Sequence, residues 1–412
     1  MKVCVLIGST DISGGTYVIF EHALYLQSKG VDVVVIPSES LPQTTAGWHP
    51  ALSVLKFCTF EEVADTEFDL AISTWWRTVY ELHRINAARY CHFVQSIESW
   101  FYPDYEPGIQ NLANSTYTLG LPVITEAKWI KEHLKRQFGT EAYLAPNGCK
   151  KIAYSPDGPV ESPRIAGKLR VLIEGPIDVD FKNVKRTIEI LRRTKVDEVW
   201  LLTISNLQSY PGVDRVFSRV PAYECGPIYR SCDVLVKLSY IEGMFGPPLE
   251  MFHCGGTAVV YDVTGHDEYM SPENAVIVPT GDEDAVIAAI NRLKSDPGLL
   301  TRLMDNARKT AAAWPSWDEA SAKFLDALER IRAADPTLSR ERLRLLTAEF
   351  FRQYVRVDGA FRQAIRVKLS LRQQASALLA RLARRGLVMG LISPRTAHRM
   401  TARWTYSARS KI

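Results

Sequence analysis

The 412 residues carry 50 Lys and Arg against 46 Asp and Glu, with 46% hydrophobic and 23% charged residues. That length exceeds an ordinary domain two- to threefold and that balance is usual for a folded chain, so extended disorder is excluded and two hydrophobic cores are expected. Seven scattered cysteines, none in a C-x-x-C pair, exclude a disulfide framework and a cysteine zinc site and suit a reducing cytoplasm.

The opening MKVCVLIGST runs directly into strand-like sequence without the charged-then-apolar pattern of a secretion signal. No run of about 18 apolar residues follows, so a cytoplasmic chain without a membrane span is expected. Strand-like runs KVCVLI (2–7), VDVVVI (31–36), DLAIS (69–73), RYCHFVQ (89–95) and PVIT (122–125) alternate with helical patterns near 15–29, 75–87 and 126–138. That alternation predicts a parallel sheet covered on both faces. After the first run, Gly14 and Gly15 lack the Cβ that would keep backbone away from a phosphate. A plain tight turn is the competing reading of two glycines.

HFVQSIESWFYPDYEP (92–107) places Phe93, Trp100, Phe101, Tyr102 and Tyr105 within 13 residues. Aromatic faces stack on sugars, and Gln95 and Glu98 at a strand end are suited to hydroxyls, so Gln95, Glu98, Trp100 and Tyr102 are candidate acceptor contacts. An apolar staple beneath a long loop accounts for the segment equally well. APNGC (145–149) reads as a turn without a catalytic role.

A Pro/Gly-rich stretch precedes a second cycle: LRVLIEG (169–175), EVWLLT (198–203), DVLVKLS (233–239), TAVVYD (257–262) and AVIVP (275–279). The expected fold class is α/β, with two Rossmann-like, doubly wound parallel-sheet domains at 1–150 and 169–334. A linker at 151–168 joins them, and a basic tail occupies 335–412. Open parallel sheets bind ligands at their carboxyl ends, so two that face each other form a cleft for two substrates. In YIEGMFGPPLEMFHCGGTAVVYD (240–262), Glu242 stands in a loop. Pro247 and Pro248 mark a helix start near Gly246, placing Glu250 close to that start. A carboxylate there is suited to adjacent ribose hydroxyls, and free N–H groups at the helix start to a diphosphate. Singly, each glutamate also reads as a dipole complement or a solvated side chain.

The segment 240–262 resembles the donor-site signature of the retaining glycosyltransferase family 4, the group 1 glycosyl transferases. There two glutamates stand eight positions apart around Phe-Gly and Pro-Pro-Leu, although Phe245-Gly246 falls one position later than in the commoner version. Residues 2–36, APNGC and LIEGPIDVDFKNVKRTIEIL (172–191) resemble other family segments in the family's order, extending the likeness over roughly 1–334. It implies the GT-B fold, with Glu250 holding the nucleotide ribose and Glu242 the transferred sugar. Phe245 and Gly246 line the donor, Gly14 and Gly15 approach its diphosphate, and Lys182 neutralises it. Pro176 occupies the position of the family's usual arginine, which leaves that charge to Lys182, with Lys185 or Arg186 as substitutes. The 92–107 stretch resembles members that build rhamnose-containing surface polysaccharides. The implied reaction is hexosyl transfer with retention, from a nucleoside-diphosphate sugar to a glycan or lipid-linked glycan, with Glu242 and Lys182 as catalytic residues.

Asp178 and Asp180 form an Asp-x-Asp, but Lys182 follows at once and the eight histidines show no ligand spacing, so no metal and no other cofactor is expected. From residue 340 onward the chain holds 17 Lys and Arg against three acidic residues. Leu343, Leu346, Phe350, Tyr354, Phe361, Ile365 and Leu369 recur there at helical spacing. A basic amphipathic helix of this kind suits peripheral contact with an anionic membrane, or packing on the protein body or a second subunit. No nucleic-acid motif accompanies the charge. Three other classes compete: a sugar-nucleotide epimerase of the same fold, a dinucleotide oxidoreductase, for which GSTDISGG lacks the G-x-G-x-x-G spacing, and a non-catalytic scaffold of a polysaccharide-assembly complex.

Overall fold

The computed structural model describes residues 1–38, 47–104 and 106–364, with side chains to 356, and the isolated positions 378, 382, 389 and 391. Seven strands form the first sheet: β1 (Lys2–Ile7), β2 (Asp32–Pro37), β3 (Lys56–Phe57), β4 (Glu67–Ser73), β5 (Asn86–Val94), β6 (Val123–Thr125) and β7 (Ala142–Leu144). Six form the second: β8 (Arg170–Glu174), β9 (Glu198–Thr203), β10 (Arg215–Ser218), β11 (Val234–Lys237), β12 (Thr257–Tyr261) and β13 (Val276–Val278). All pairings are parallel, in the orders β3-β2-β1-β4-β5-β6-β7 and β10-β9-β8-β11-β12-β13. Both orders reverse beside the first strand of the sheet, at β1/β4 and β8/β11, which opens a crevice at each set of carboxyl ends.

The central strands are near-continuous runs of Val, Ile and Leu because helices cover both faces. In β1 every residue from Val3 to Ile7 is buried, with Val5 in register with Val35 on one side and Ile72 on the other. Three short strands escape the pattern reading: β3, β7 and β10, of two to four residues. The helix expected over 75–87 is instead a short helix Trp76–Val79 and a 3-10 turn Leu82–Arg84, because β5 already begins at Asn86.

One boundary is corrected. The helix Trp317–Ala333 follows the second domain in sequence but packs on the first, against the helix Gly14–Ser28. Its apolar face, Trp317, Phe324, Leu328 and Ile331, joins the core that holds Val5, Phe20 and Ile72. The ring of His22 stacks on Phe324 at 4.3 Å and its Nδ1 lies 2.9 Å from Ser321 Oγ. Burial lowers the His22 pKa to about 3, so the ring packs as a neutral group. Ser316 and Glu319 form a capping box at the start of the helix. The chain therefore crosses between domains twice, and the crossings touch: Cys149 and Ser316 form a parallel bridge. A Cβ on Gly148 would stand 2.5 Å from the Trp317 backbone. Asn147-Gly148 accordingly forms no turn and leads into the bridge at Cys149.

The helix Arg340–Ala364 also lies on the first domain, against the helix Pro107–Ser115 and the Leu82–Arg84 turn. Leu343, Thr347 and Tyr354 are buried, and Phe351 packs on Tyr80 at 4.8 Å between ring centroids. Arg340 donates to the carbonyls of His83 and Arg84. Packing on the protein body is thus the arrangement of this segment, with Arg342, Arg344, Arg352 and Arg356 on its exposed side. Ile365, Leu369 and the side chain of Phe361 lie outside the described residues. Among the described residues no helix is long and apolar enough to cross a membrane.

Candidate active site

The carboxyl ends of β8 and β11 bring together the charged groups of the second domain. Strand β11 pairs with β8 and β12 and buries all four residues, so Lys237 at its end is only 3% exposed. An ammonium there requires anions. Its Nζ donates to Glu174 Oε2 at 2.5 Å and Glu174 O at 3.1 Å, and lies 3.7 Å from Glu242 Oε1. Lys182, at the end of the 3-10 turn Asp180–Lys182, donates to Glu242 Oε2 at 2.8 Å. Asn183 anchors that turn by donating from Nδ2 to Leu238 O at 3.0 Å. Burial pushes the Glu242 carboxyl up, but Lys182 and Lys237 outweigh it and hold the group below the ordinary carboxylate value. Gly175, after β8, has φ +140, and a Cβ there would meet Val184 at 3.1 Å.

The helix Gly246–His253 begins at the far side of the Glu242 loop. Pro247 and Pro248 lack N–H groups, so the first turn of this helix offers fewer donors than expected. Phe245 is fully buried and its carbonyl accepts from the Tyr269 hydroxyl, so of the expected Phe245-Gly246 pair only Gly246 is partly open to a ligand. Glu250 is half-buried among Tyr229, Tyr154, Glu174 and Lys237. Burial beneath the domain surface raises its pKa to about 7, against the hydroxyls of Tyr229 and Tyr154 and with the charge of Glu174 adding to it.

From the first domain, Gly14 is exposed and Gly15 half-buried at the start of the helix Gly14–Ser28, where Ser13 Oγ caps Thr16 N–H at 3.0 Å. Gln95 donates from Nε2 to Gly15 O at 3.2 Å. Phe101 stacks on Phe181, beside Lys182, at 5.0 Å across the domains. Trp100 is exposed over 38% of its surface and stacks on Trp129 at 5.6 Å. The Tyr102 hydroxyl accepts from Trp76 Nε1 at 3.1 Å. Glu98 is turned inward: Oε2 accepts from Trp76 N–H at 2.7 Å, and burial raises its pKa to about 8 against that N–H and the charge of Arg77. Tyr105 lies outside the described residues. Neither expected substitute for the missing arginine reaches Glu242: Lys185 pairs with Asp178, and Arg186 with Glu283 and Glu189. Among the described residues no three His, Cys, Asp or Glu side chains gather as a metal site.

Two further clusters escaped sequence reasoning. Glu126, which follows β6, is 5% exposed. It accepts from Met244 N–H at 3.0 Å, Asn147 Nδ2 at 3.0 Å and Gln95 Nε2 at 3.4 Å. Burial raises its pKa to about 7, those donors oppose the rise, and the charge of Glu242 adds to it. Glu21, on the helix Gly14–Ser28, meets Tyr223 of the second domain at 2.5 Å, His49 at 3.3 Å and Lys150 at 3.5 Å. Burial raises the Glu21 pKa, yet His49, Tyr223 and Lys150 bring it below the ordinary value.

Comparison with known proteins finds likenesses in sequence and in fold. Residues 215–310, which include Lys237, Glu242 and Glu250, match the family described as glycosyl transferases group 1. The O-antigen biosynthesis protein RfbC of Myxococcus xanthus is 27% identical over 268 residues, covering 61% of this chain and 20% of that protein. The match thus spans a fifth of the relative's length. Sucrose-phosphate synthase of Thermosynechococcus elongatus superposes with a TM-score of 0.64 at 15% identity, covering 80% of this chain and 98% of that one. The Anabaena protein HepE, solved in complex with UDP and glucose, gives 0.64 at 14% identity over 80% and 100%. Residues 215–310 carry the group 1 sequence pattern, and the two-domain fold is GT-B, as the sequence resemblance implied.

Proposed function

We propose that this chain is a glycosyltransferase of surface polysaccharide assembly, moving a hexosyl group with retention from a nucleoside-diphosphate sugar to a glycan or lipid-linked glycan. The observation that carries the reading is the Lys182–Glu242–Lys237 cluster. It joins the carboxyl ends of β8 and β11 at the crevice of the group 1 domain, with Glu250 on the helix that follows. The relative's part in O-antigen biosynthesis and the sugar nucleotide bound by HepE support it.

In this reading Glu250 accepts the ribose hydroxyls, Glu242 orients the sugar and Lys182 meets the diphosphate. Glycosyl transfer builds negative charge on the leaving phosphate and positive charge on the sugar ring. A cation at the phosphate and a carboxylate at the ring hydroxyls each strengthen as the bond breaks. The departing phosphate oxygen takes the acceptor's proton on the same face, and no enzyme nucleophile is required.

Glu250→Ala is expected to abolish the rise in melting temperature that UDP, GDP or dTDP gives the native chain; an undiminished rise removes the ribose assignment. Affinity should also follow pH. Ribose hydroxyls donate to the ionised carboxylate, so affinity is constant above the Glu250 pKa of about 7. Below it, binding must expel a proton, and the dissociation constant rises about tenfold per pH unit. Calorimetric titration of Glu250→Gln should show no such dependence.

The exposed arginines of the Arg340–Ala364 helix support peripheral contact with an anionic membrane carrying the acceptor. Deleting the helix would bare its packed face, so charge reversal is the cleaner test. Arg342→Glu, Arg352→Glu and Arg356→Glu together should weaken binding to phosphatidylserine vesicles by about 1 kcal/mol per reversed site or more. Unchanged vesicle binding removes the membrane contact.

A further inference from the structure

The loop that carries Glu242 is held from the opposite domain. Glu126 Oε1 accepts Met244 N–H at 3.0 Å, and Trp129 Nε1 donates to Gly243 O at 2.9 Å. Gly243 lies against the Gln95 main chain so closely that a Cβ there would overlap the Gln95 carbonyl and stand 2.9 Å from Glu126 Oε1. Behind Gly243, Gly265 adopts φ +87, and a Cβ on it would overlap Gly243 O. On the other side of Glu126, Asn147 ties it to the first crossing between domains, and Gln95 ties it to Gly15. A single buried carboxylate therefore connects the end of β6, the donor-side loop, the interdomain crossing and the diphosphate-side helix start.

We infer that Glu126 is a positioning residue for the transfer step: it fixes the Glu242–Gly246 loop from the first domain, so the sugar-orienting groups are aligned only while the two domains are in contact. The inference rests on the transferase reading for its rate consequence and on geometry alone for the loop contact. Three N–H donors converge on its two oxygens, a demand that a carboxylate meets and an amide does not, because an amide nitrogen would oppose either Met244 N–H or the Asn147 and Gln95 donors. Glu126→Gln is therefore nearly isosteric but mispaired.

Two measurements test this on the full chain. Amide hydrogen exchange of the segment 240–246, without ligand, should be at least tenfold faster in Glu126→Gln than in the native chain. Turnover of whichever UDP-, GDP- or dTDP-hexose the native chain accepts should show kcat reduced about 10–100-fold with KM within about threefold, since a loop displaced by a fraction of an ångström misaligns the sugar without removing its binding groups. A purely structural role would lower the melting temperature without that split. Unchanged exchange at 240–246 overturns the inference whatever the donor, and so does faster exchange with unchanged kcat. A native chain that turns over no sugar nucleotide defeats the transferase reading instead, and the exchange result alone then decides the loop contact.

Discussion

Replacing Lys182 with methionine is expected to lower sugar transfer about 10²–10³-fold, the usual cost of removing one preorganised group that meets developing negative charge. The side chain sits in a 3-10 turn beside the crevice at the ends of β8 and β11, 2.8 Å from Glu242 and 23% exposed, so it is anchored yet open to a ligand. Methionine keeps the length of the stem but loses the charge, and with it the placement of the ammonium over the Phe181 ring. The fold should survive, because Glu242 retains Lys237 at 3.7 Å. Affinity for the nucleoside alone should be unchanged while affinity for the nucleoside diphosphate falls. A full transfer rate in Lys182→Met would move the diphosphate site elsewhere, and Pro176 would then have no nearby cation to account for its place.

The second large effect is on stability. Lys237→Met leaves Glu174 and buried Glu242 without the ammonium that joins them. Removing one member of a buried charge cluster costs about 3–5 kcal/mol, because the remaining charges keep their desolvation penalty and lose its compensation. The second domain should melt about 10 °C lower. Adding Glu174→Gln should recover part of the loss, since it removes one orphaned charge, and that non-additivity separates charge imbalance from simple loss of packing. Equal melting of Lys237→Met and the native chain would show that the cluster contributes no net stability.

The strands were readable because a sheet buried on both faces leaves little choice but Val, Ile and Leu. The two cycles of short apolar runs separated by helical pattern therefore marked both domains. The carboxylates of 240–262 were readable from local order. Lys237 closes the strand-like run 233–239, and a lysine at the end of a fully buried strand is itself a sign of an enclosed anion. Glu126 had no such sign. Its partner Met244 is 118 positions away, and only the closing of two domains brings them together. The apolar stripe at 343–354 announced a helix with one greasy face, but the spacing is the same whether that face meets lipid or Tyr80. Trp317–Ala333 likewise announced a helix without revealing that it belongs to a sheet assembled some 300 residues earlier.

The two adjacent crossings at Cys149 and Ser316 have a mechanical meaning. A body joined to another by a single flexible strand can swivel in any direction; one joined by two strands fastened side by side keeps chiefly a folding motion about the line that contains them. The glycine at 148, pressed against the Trp317 backbone, sits on that line. Any opening of one sheet from the other is therefore expected to turn about that one line, as a book turns on its spine.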